Sequence, residues 1–166
     1  MAVVAEEISE VRLYAPRRAW NQASDWTRVL AIGLSIGCLT LLVLASRLTP
    51  SAAGVGSHQG LGLQRCQMLQ QTGVPCPSCG MTTSFSWFAR GNLAASFYIQ
   101  PMGMLLALAA AICVWAGAYV AVTGRPVYRL ATLYSGRSYM IGLLGFGILA
   151  WGWKVFIHLY GMDGWR

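Results

Sequence analysis

Residues 29–46 read VLAIGLSIGCLTLLVLAS and contain no charged side chain. Arg28 precedes this stretch and Arg47 follows it, so the apolar run is sharply bounded. About 20 residues of this kind, in a helix, cross the roughly 30 Å hydrocarbon core of a bilayer. The sequence therefore predicts a membrane-spanning helix over about residues 29–47.

Two further apolar stretches are long enough to span a bilayer. Pro101 suits the first turn of a helix, because the N–H that proline lacks would be unpaired there, and this second span is predicted over about residues 101–122. A third span, over about residues 139–160, has Trp151, Trp153 and Tyr160 grouped towards its end, where amphipathic rings favour the headgroup region. We therefore predict an all-α integral membrane protein with about three transmembrane helices.

The composition of the 166-residue chain agrees with this prediction, since 56% of the residues are hydrophobic and only 10% are charged. Soluble domains carry charges at roughly a quarter of their positions. The net charge of +7 comes from arginines that flank the apolar runs, whereas nucleic-acid binding requires a clustered basic patch. The predicted partner is therefore the lipid bilayer, with no nucleic acid. Neither a carboxylate relay within a span nor a hydrolase motif is present.

The distribution of cations predicts the topology. Residues 1–28 form an N-terminal tail, residues 29–160 the membrane domain and residues 161–166 a C-terminal tail. With three spans, seven arginines lie on the side of the N-terminus and five cations on the other side. Because cytoplasmic loops carry an excess of Lys and Arg, we expect the N-terminus in the cytoplasm and the loop after the first span outside it.

Residues 58–100 hold a cysteine-containing loop and two short apolar pieces, 85–89 and 93–99, which are too short to span. Thr82, Thr83 or Ser84 could cap the first piece as a helix, and Asn92 the second, because their side-chain oxygens accept free backbone N–H groups. Gly91 would end the first helix. The pattern predicts a short helix pair lying at the membrane interface.

Three of the five cysteines share this loop. Cys76 and Cys79 form a CxxC motif followed by Gly80, and Cys66 lies ten residues upstream. Both thiols of a CxxC turn can face one point, which suits a metal or a reversible disulfide. Cys38 and Cys113 lie inside predicted spans, where cysteine usually behaves as a small hydrophobic residue.

Three hypotheses for this loop stay open at the level of sequence. An oxidising compartment would join two of the thiols in a structural disulfide. A metal, zinc or iron, would need a fourth ligand, for which His58 is the nearest candidate. In thiol–disulfide exchange, one thiolate would attack a disulfide and a neighbouring thiol would resolve the product. A thioredoxin fold is excluded, because no βαβ pattern surrounds the motif.

Residues 73–101, GVPCPSCGMTTSFSWFARGNLAASFYIQP, resemble the signature of bacterial membrane proteins grouped as domain of unknown function 2752. The family has an upstream cysteine, a CPxCG segment followed by threonine, a Gly–Asp or Gly–Asn break and an Asn–Pro that opens a membrane helix. The residues that fit this pattern are Cys66, Cys76, Pro77, Cys79, Gly80, Thr82, Gly91, Asn92, Ala94, Ala95 and Pro101. Thr83 stands where the family often has Arg, and Gln100 replaces Asn. The resemblance implies a bacterial inner membrane location and supplies no activity.

Two smaller features complete the candidate residues. Gly33 and Gly37 form a GxxxG step, which lets another helix approach closely. Lys154 and His158 are four residues apart near the end of the third span, and an ionisable pair in a membrane helix suggests a functional site. His158 could ligate a cofactor. In the simpler interpretation, Lys154 reaches to the headgroups and His158 lies at the interface.

These features favour a non-enzymatic accessory or scaffolding subunit of a larger membrane complex, with other membrane protein subunits as partners and the cysteine loop held by a disulfide or a metal. One alternative is a membrane thiol–disulfide oxidoreductase that uses Cys76 and Cys79. The other is an electron-transfer or light-harvesting subunit that binds its cofactor through His158.

Overall fold

The structure, a computed structural model, describes residues 23–125 and 136–165. These residues form six α-helices and one 3₁₀ turn, without a strand, as the sequence predicts. Most of the predicted N-terminal tail lies outside the described residues. The elements in chain order are α1 (Asp25–Arg47), the 3₁₀ turn Ser57–Leu61, α2 (Gln67–Thr72), α3 (Met81–Ala89), α4 (Leu93–Ile99), α5 (Pro101–Thr123) and α6 (Gly136–Leu159).

Helices α1, α5 and α6 have the length and composition of membrane spans, with mean hydropathies of 2.4, 2.3 and 1.7. Their bounds agree with the three predicted spans to within a few residues, and the chain is a multi-pass membrane protein. The backbone N–H of Ala23, before α1, donates to the carbonyl of Gly124, after α5. The start of α1 and the end of α5 therefore lie on the same side, as the predicted topology requires. Which side faces the cytoplasm stays a prediction.

Helices α1 and α5 pack closely where a glycine of α5 meets a serine of α1. A Cβ at Gly117 would lie 2.7 Å from the carbonyl oxygen of Ala31 and closer still to the side chain of Ser35, so no larger residue fits. Ser35 Oγ donates across the same contact to the carbonyl of Cys113, 3.3 Å away. By contrast, nothing lies within 4 Å of a Cβ placed on Gly33 or Gly37. Within residues 23–125 and 136–165, neither glycine meets another helix, and their role in packing against another membrane protein stays a prediction.

The short helix pair α3–α4 is present, and α3 packs against both α1 and α5. Its hydroxyl side chains point inwards. Ser84 is fully buried, with its Oγ 2.8 Å from the carbonyl of Ser96 and 3.1 Å from that of Gln100. Ser86 is also fully buried and donates to the carbonyl of Ala45, 2.7 Å away at the end of α1. Polar side chains thus fill the space between the helices at this end of the molecule.

The capping predictions were right for α4 and wrong for α3. Asn92 caps α4, with its Oδ1 accepting from the N–H of Ala95 at 3.0 Å. Helix α3 begins one residue earlier than any of the predicted hydroxyl caps, because Gly80 occupies the capping position with φ +84°. The glycine takes up the sharp change of direction after Cys79, and Thr83 and Ser84 are therefore placed inside the helix and buried.

Candidate functional site: a three-cysteine cluster beside an apolar cavity

The loop that carries the three cysteines is held by short structural elements. Cys66 occupies the N-terminal capping position of α2, which ends at Gly73 with φ +70°. The chain then returns through buried Pro75, whose carbonyl accepts from the indole N–H of Trp151 on α6 at 2.9 Å. Gln100 Nε2 donates to the carbonyl of Pro77, also at 2.9 Å. The loop is thereby fixed to the membrane helices on two sides.

The three sulfur atoms of Cys66, Cys76 and Cys79 lie within 4.8 Å of one another. We call this group the three-cysteine cluster. The sulfurs of Cys76 and Cys79 are 3.1 Å apart, and Ser78 Oγ lies 3.2 Å from the sulfur of Cys76. All three residues are free thiols. The convergence that the spacing predicted is therefore present in the structure.

The three thiols differ in their environment. The pKa of the Cys66 thiol is lowered to about 7, first because the backbone N–H of Leu69 donates to its sulfur; partial burial opposes this, and hydrogen bonds with Cys79 and Cys76 add to it. Cys79 is only 6% exposed, and its burial raises the pKa of that thiol, as do its hydrogen bonds with the other two sulfurs. Near neutral pH the cluster therefore combines a thiol that ionises readily, Cys66, with a buried thiol that stays protonated, Cys79.

A metal would find three of its ligands in place. Tetrahedral zinc with Zn–S bonds of about 2.3 Å separates its sulfur ligands by about 3.8 Å, so Cys76 and Cys79 would have to move apart to bind one ion. Within the described residues no fourth Cys, His, Asp or Glu joins the group. His58, the predicted fourth ligand, lines the same cavity but pairs through Nε2 with the carbonyl of Gln64 at 3.0 Å.

An apolar cavity of about 510 Å³ opens beside the cluster. One wall is the last turns of α1, and the other is formed by Leu61 of the 3₁₀ turn and by Met81 and Phe85 of α3. All three cysteines line it, together with His58, Ser78 and Thr82. Leu41 and Leu44 of α1 and Leu61 are each about half exposed, so the cavity opens on the outer, apolar face of the helices.

A buried ion pair on the other side of the loop was not predicted. Lys154 is 0% exposed and forms an ion pair with Asp163, while its Nζ also donates to the carbonyl of Gly54 at 3.1 Å. His158 Nδ1 lies 2.8 Å from the second carboxylate oxygen of Asp163. We call Lys154, His158 and Asp163 the charge cluster. The expectation that Lys154 extends to the headgroups is therefore wrong, because this carboxylate keeps the ammonium inside.

The charge cluster lies directly behind the CxxC motif. A Cβ at Gly80 would be 2.9 Å from the carbonyl oxygen of Gly54 and 3.0 Å from Cε of Lys154, so glycine fits here next to Cys79 and a larger residue would collide with backbone. The segment that supplies Asp163 folds back over the helices, with the hydroxyl of Tyr98 donating to the carbonyl of Met162 at 2.9 Å. The sequence pattern identified Lys154 and His158 but gave no indication that a residue beyond the span would return to them.

The remaining predicted residues lie elsewhere. Cys113 of α5 is hydrogen-bonded to Cys38 of α1, so these two thiols form a pair of their own between the spans. His158 keeps one ring nitrogen, Nε2, free of its contact with Asp163, and its role as a cofactor ligand stays a prediction.

Comparison with known proteins identifies one region. Residues 66–114 match the model of a family described as "Protein of unknown function (DUF2752)". No curated protein and no solved structure matches the chain. The matched segment begins at Cys66 and ends within α5, so it includes the whole three-cysteine cluster but not the charge cluster at the end of α6 and just beyond it. Over this segment, the chain is similar to the DUF2752 family.

Proposed function

We propose that this membrane protein carries out thiol–disulfide exchange at the three-cysteine cluster. One observation carries the proposal: three free thiols lie within 4.8 Å of one another, and two of them, Cys76 and Cys79, are 3.1 Å apart. A small displacement brings these two to bonding distance. A third thiol within reach of the pair allows a disulfide to be opened and resolved inside the same cluster.

The order of the steps follows from the environments of the three sulfurs. In the oxidised protein, Cys76 and Cys79 form a disulfide. The Cys66 thiolate attacks the sulfur of Cys76, a residue that is more exposed than Cys79. A bond forms between Cys66 and Cys76, the Cys76–Cys79 bond breaks, and Cys79 leaves as a thiolate and takes up a proton. The raised pKa of Cys79 slows its departure as a thiolate and then favours its protonation, which makes the step effectively one-way. An external dithiol that reduces the cluster loses two electrons and two protons.

Metal binding at the same three sulfurs is the second candidate, favoured by their mutual distances alone. It would hold the loop on the bundle without redox chemistry. A fourth ligand would then come from His58 after a change of side-chain orientation, or from water.

A role as an accessory subunit is compatible with either chemistry. Within the described residues, 136–145 of α6 are exposed, and no atom lies within 4 Å of a Cβ placed on Gly142 or Gly145. This apolar face is available to lipid or to another membrane subunit.

The test is differential alkylation of the purified protein with metal analysis of the same sample. A Cys38→Ala/Cys113→Ala background removes the second thiol pair. We expect two of the three remaining thiols to be lost on mild oxidation, to return on reduction, and to be Cys76 and Cys79 by peptide mapping. One equivalent of zinc or iron that protects all three thiols would contradict exchange and establish the metal centre.

A further inference from the structure

The apolar cavity beside the cysteines has the properties of a ligand site. Its volume of about 510 Å³ lies within the range of small-molecule sites, about 300–1,000 Å³. Such sites have mostly apolar walls and a few polar groups that orient the ligand. Here the walls are leucine, methionine and phenylalanine side chains, and the polar groups, including the three thiols, belong to the loop, the 3₁₀ turn and the start of α3.

The position of the opening restricts what can enter. Leu41 and Leu44, which line the cavity, are about half exposed on α1, a helix whose outer surface is apolar along its length. A helix of this composition faces lipid. A ligand that enters beside α1 therefore arrives from the hydrocarbon region and is itself lipid-soluble.

The redox chemistry of the cluster further restricts which ligand can occupy the cavity. Thiol–disulfide exchange within the cluster moves a disulfide but creates none. To form the Cys76–Cys79 disulfide, two thiols lose two electrons and two protons. The oxidant must accept these two electrons and two protons, and it must reach sulfur atoms that line an apolar cavity.

We propose that the cavity binds a lipid-soluble quinone, which oxidises Cys76 and Cys79 to a disulfide and leaves as the hydroquinone. This inference rests on the proposed exchange function and names its electron acceptor. The quinone ring lies at the sulfur end of the cavity, and its tail lies along the leucines of α1. The sulfur–sulfur bond forms as two thiol protons and two electrons pass to the two quinone oxygens, so the reaction balances without another reactant.

The test uses reduced protein of the Cys38→Ala/Cys113→Ala background in lipid nanodiscs, without oxygen, and two oxidants. Decylubiquinone, whose ring is fully substituted, probes the cavity, and water-soluble diamide probes the thiols directly. We expect one hydroquinone for each Cys76–Cys79 disulfide formed. Leu44→Trp fills the cavity and should lower the quinone-dependent rate by about tenfold or more, as misfit in an apolar pocket does.

Two controls separate this effect from damage to the fold. Leu34→Trp places the same side chain on α1 away from the cavity, at a position 61% exposed, and should change the quinone-dependent rate by less than about twofold. The Leu44→Trp protein should still form the Cys76–Cys79 disulfide with diamide, which shows that its thiols remain competent.

Each other outcome has a definite meaning. Oxidation by diamide without oxidation by decylubiquinone would overturn the quinone assignment and leave the exchange function standing. Equal quinone rates for the Leu44→Trp and Leu34→Trp proteins would overturn the cavity as the site. Binding of decylubiquinone without hydroquinone formation would overturn the quinone as the electron acceptor, and the cavity would then be a site that only binds apolar chains. Failure of both oxidants to form the Cys76–Cys79 disulfide would overturn the exchange function itself.

Discussion

Helices α1 and α3 bury opposite kinds of side chain. Of the residues of α1, only Ala45 is buried, and its leucines, isoleucines and valines are exposed except for the half-buried Leu42. In α3 the buried residues are Thr83, Ser84 and Ser86. The contrast reverses the arrangement of a soluble protein, because lipid solvates apolar side chains and leaves polar ones to find partners inside. The polar interior is concentrated at the end of the bundle that carries the cysteines.

The strongest test of this contrast removes the buried cation. Lys154→Met removes the cation of a buried ion pair and leaves the Asp163 carboxylate with His158 alone. Breaking a buried pair in this way costs about 3–5 kcal/mol. We expect a correspondingly large fall in thermal stability in detergent, and Arg47→Met, at an exposed cation of α1, should have little effect.

The double variant Lys154→Met/Asp163→Asn sharpens that test. Removing both charges leaves no unpaired ion, so it should recover part of the lost stability. A double variant less stable than Lys154→Met alone would contradict the ion pair as the source of the effect.

The close contact between α1 and α5 provides a second test. Gly117→Leu forces α5 away from Ala31 and Ser35, and overpacking of this kind costs about 1–3 kcal/mol. Gly33→Leu introduces the same side chain on α1 where no atom lies within 4 Å. We expect it to leave the thermal stability of the isolated chain unchanged. Loss of a copurifying partner in the Gly33→Leu protein would support the predicted packing role of Gly33 and Gly37.

Buried hydroxyl groups should matter more than exposed ones. Ser84→Ala removes the donor that serves the carbonyls of Ser96 and Gln100, and unsatisfied buried groups cost about 1–3 kcal/mol. Thr40→Ala removes a comparable bond to the carbonyl of Ile36 on the exposed side of α1. Its effect should be below about 0.5 kcal/mol. Equal losses in thermal unfolding would contradict a polar interior.

The smallest expected effect concerns the reactivity of Cys66. Only the thiolate is alkylated, so the rate at Cys66 should rise with pH to half its maximum near the lowered pKa of about 7. Leu69→Pro removes the N–H that stabilises this thiolate in the first turn of α2, where proline is tolerated. The midpoint should move up towards the ordinary value of about 8.5.

Leu69→Ala keeps the N–H and is the matched control. Its midpoint for alkylation of Cys66, followed by site-resolved mass spectrometry, should stay near that of the parent protein. A midpoint that moves equally in both variants would assign the shift to the leucine side chain.

The sequence was sufficient for features that depend on length and local spacing. The spans follow from uninterrupted apolar runs, and the meeting of Cys76 with Cys79 follows from the CxxC turn. Features that depend on how helices pack were not accessible. Gly117 and Gly33 are both glycines within apolar helices, and only the packing of α1 on α5 shows which one is a contact. Asp163 follows the span, and its return to Lys154 depends on a turn at Gly161 with φ +65°.

The central claim is that Cys66, Cys76 and Cys79 form one exchange unit, and a redox titration in the Cys38→Ala/Cys113→Ala background tests it most directly. The protein is equilibrated in glutathione buffers of graded potential, and the remaining thiols are alkylated and counted by intact mass. We predict a single reversible two-electron transition that is lost in Cys76→Ser, because Cys76 takes part in both proposed disulfides. We also predict that Cys66→Ser retains the transition but equilibrates more slowly. Three thiols that stay reduced at every potential, or a disulfide that never reopens, would contradict the claim.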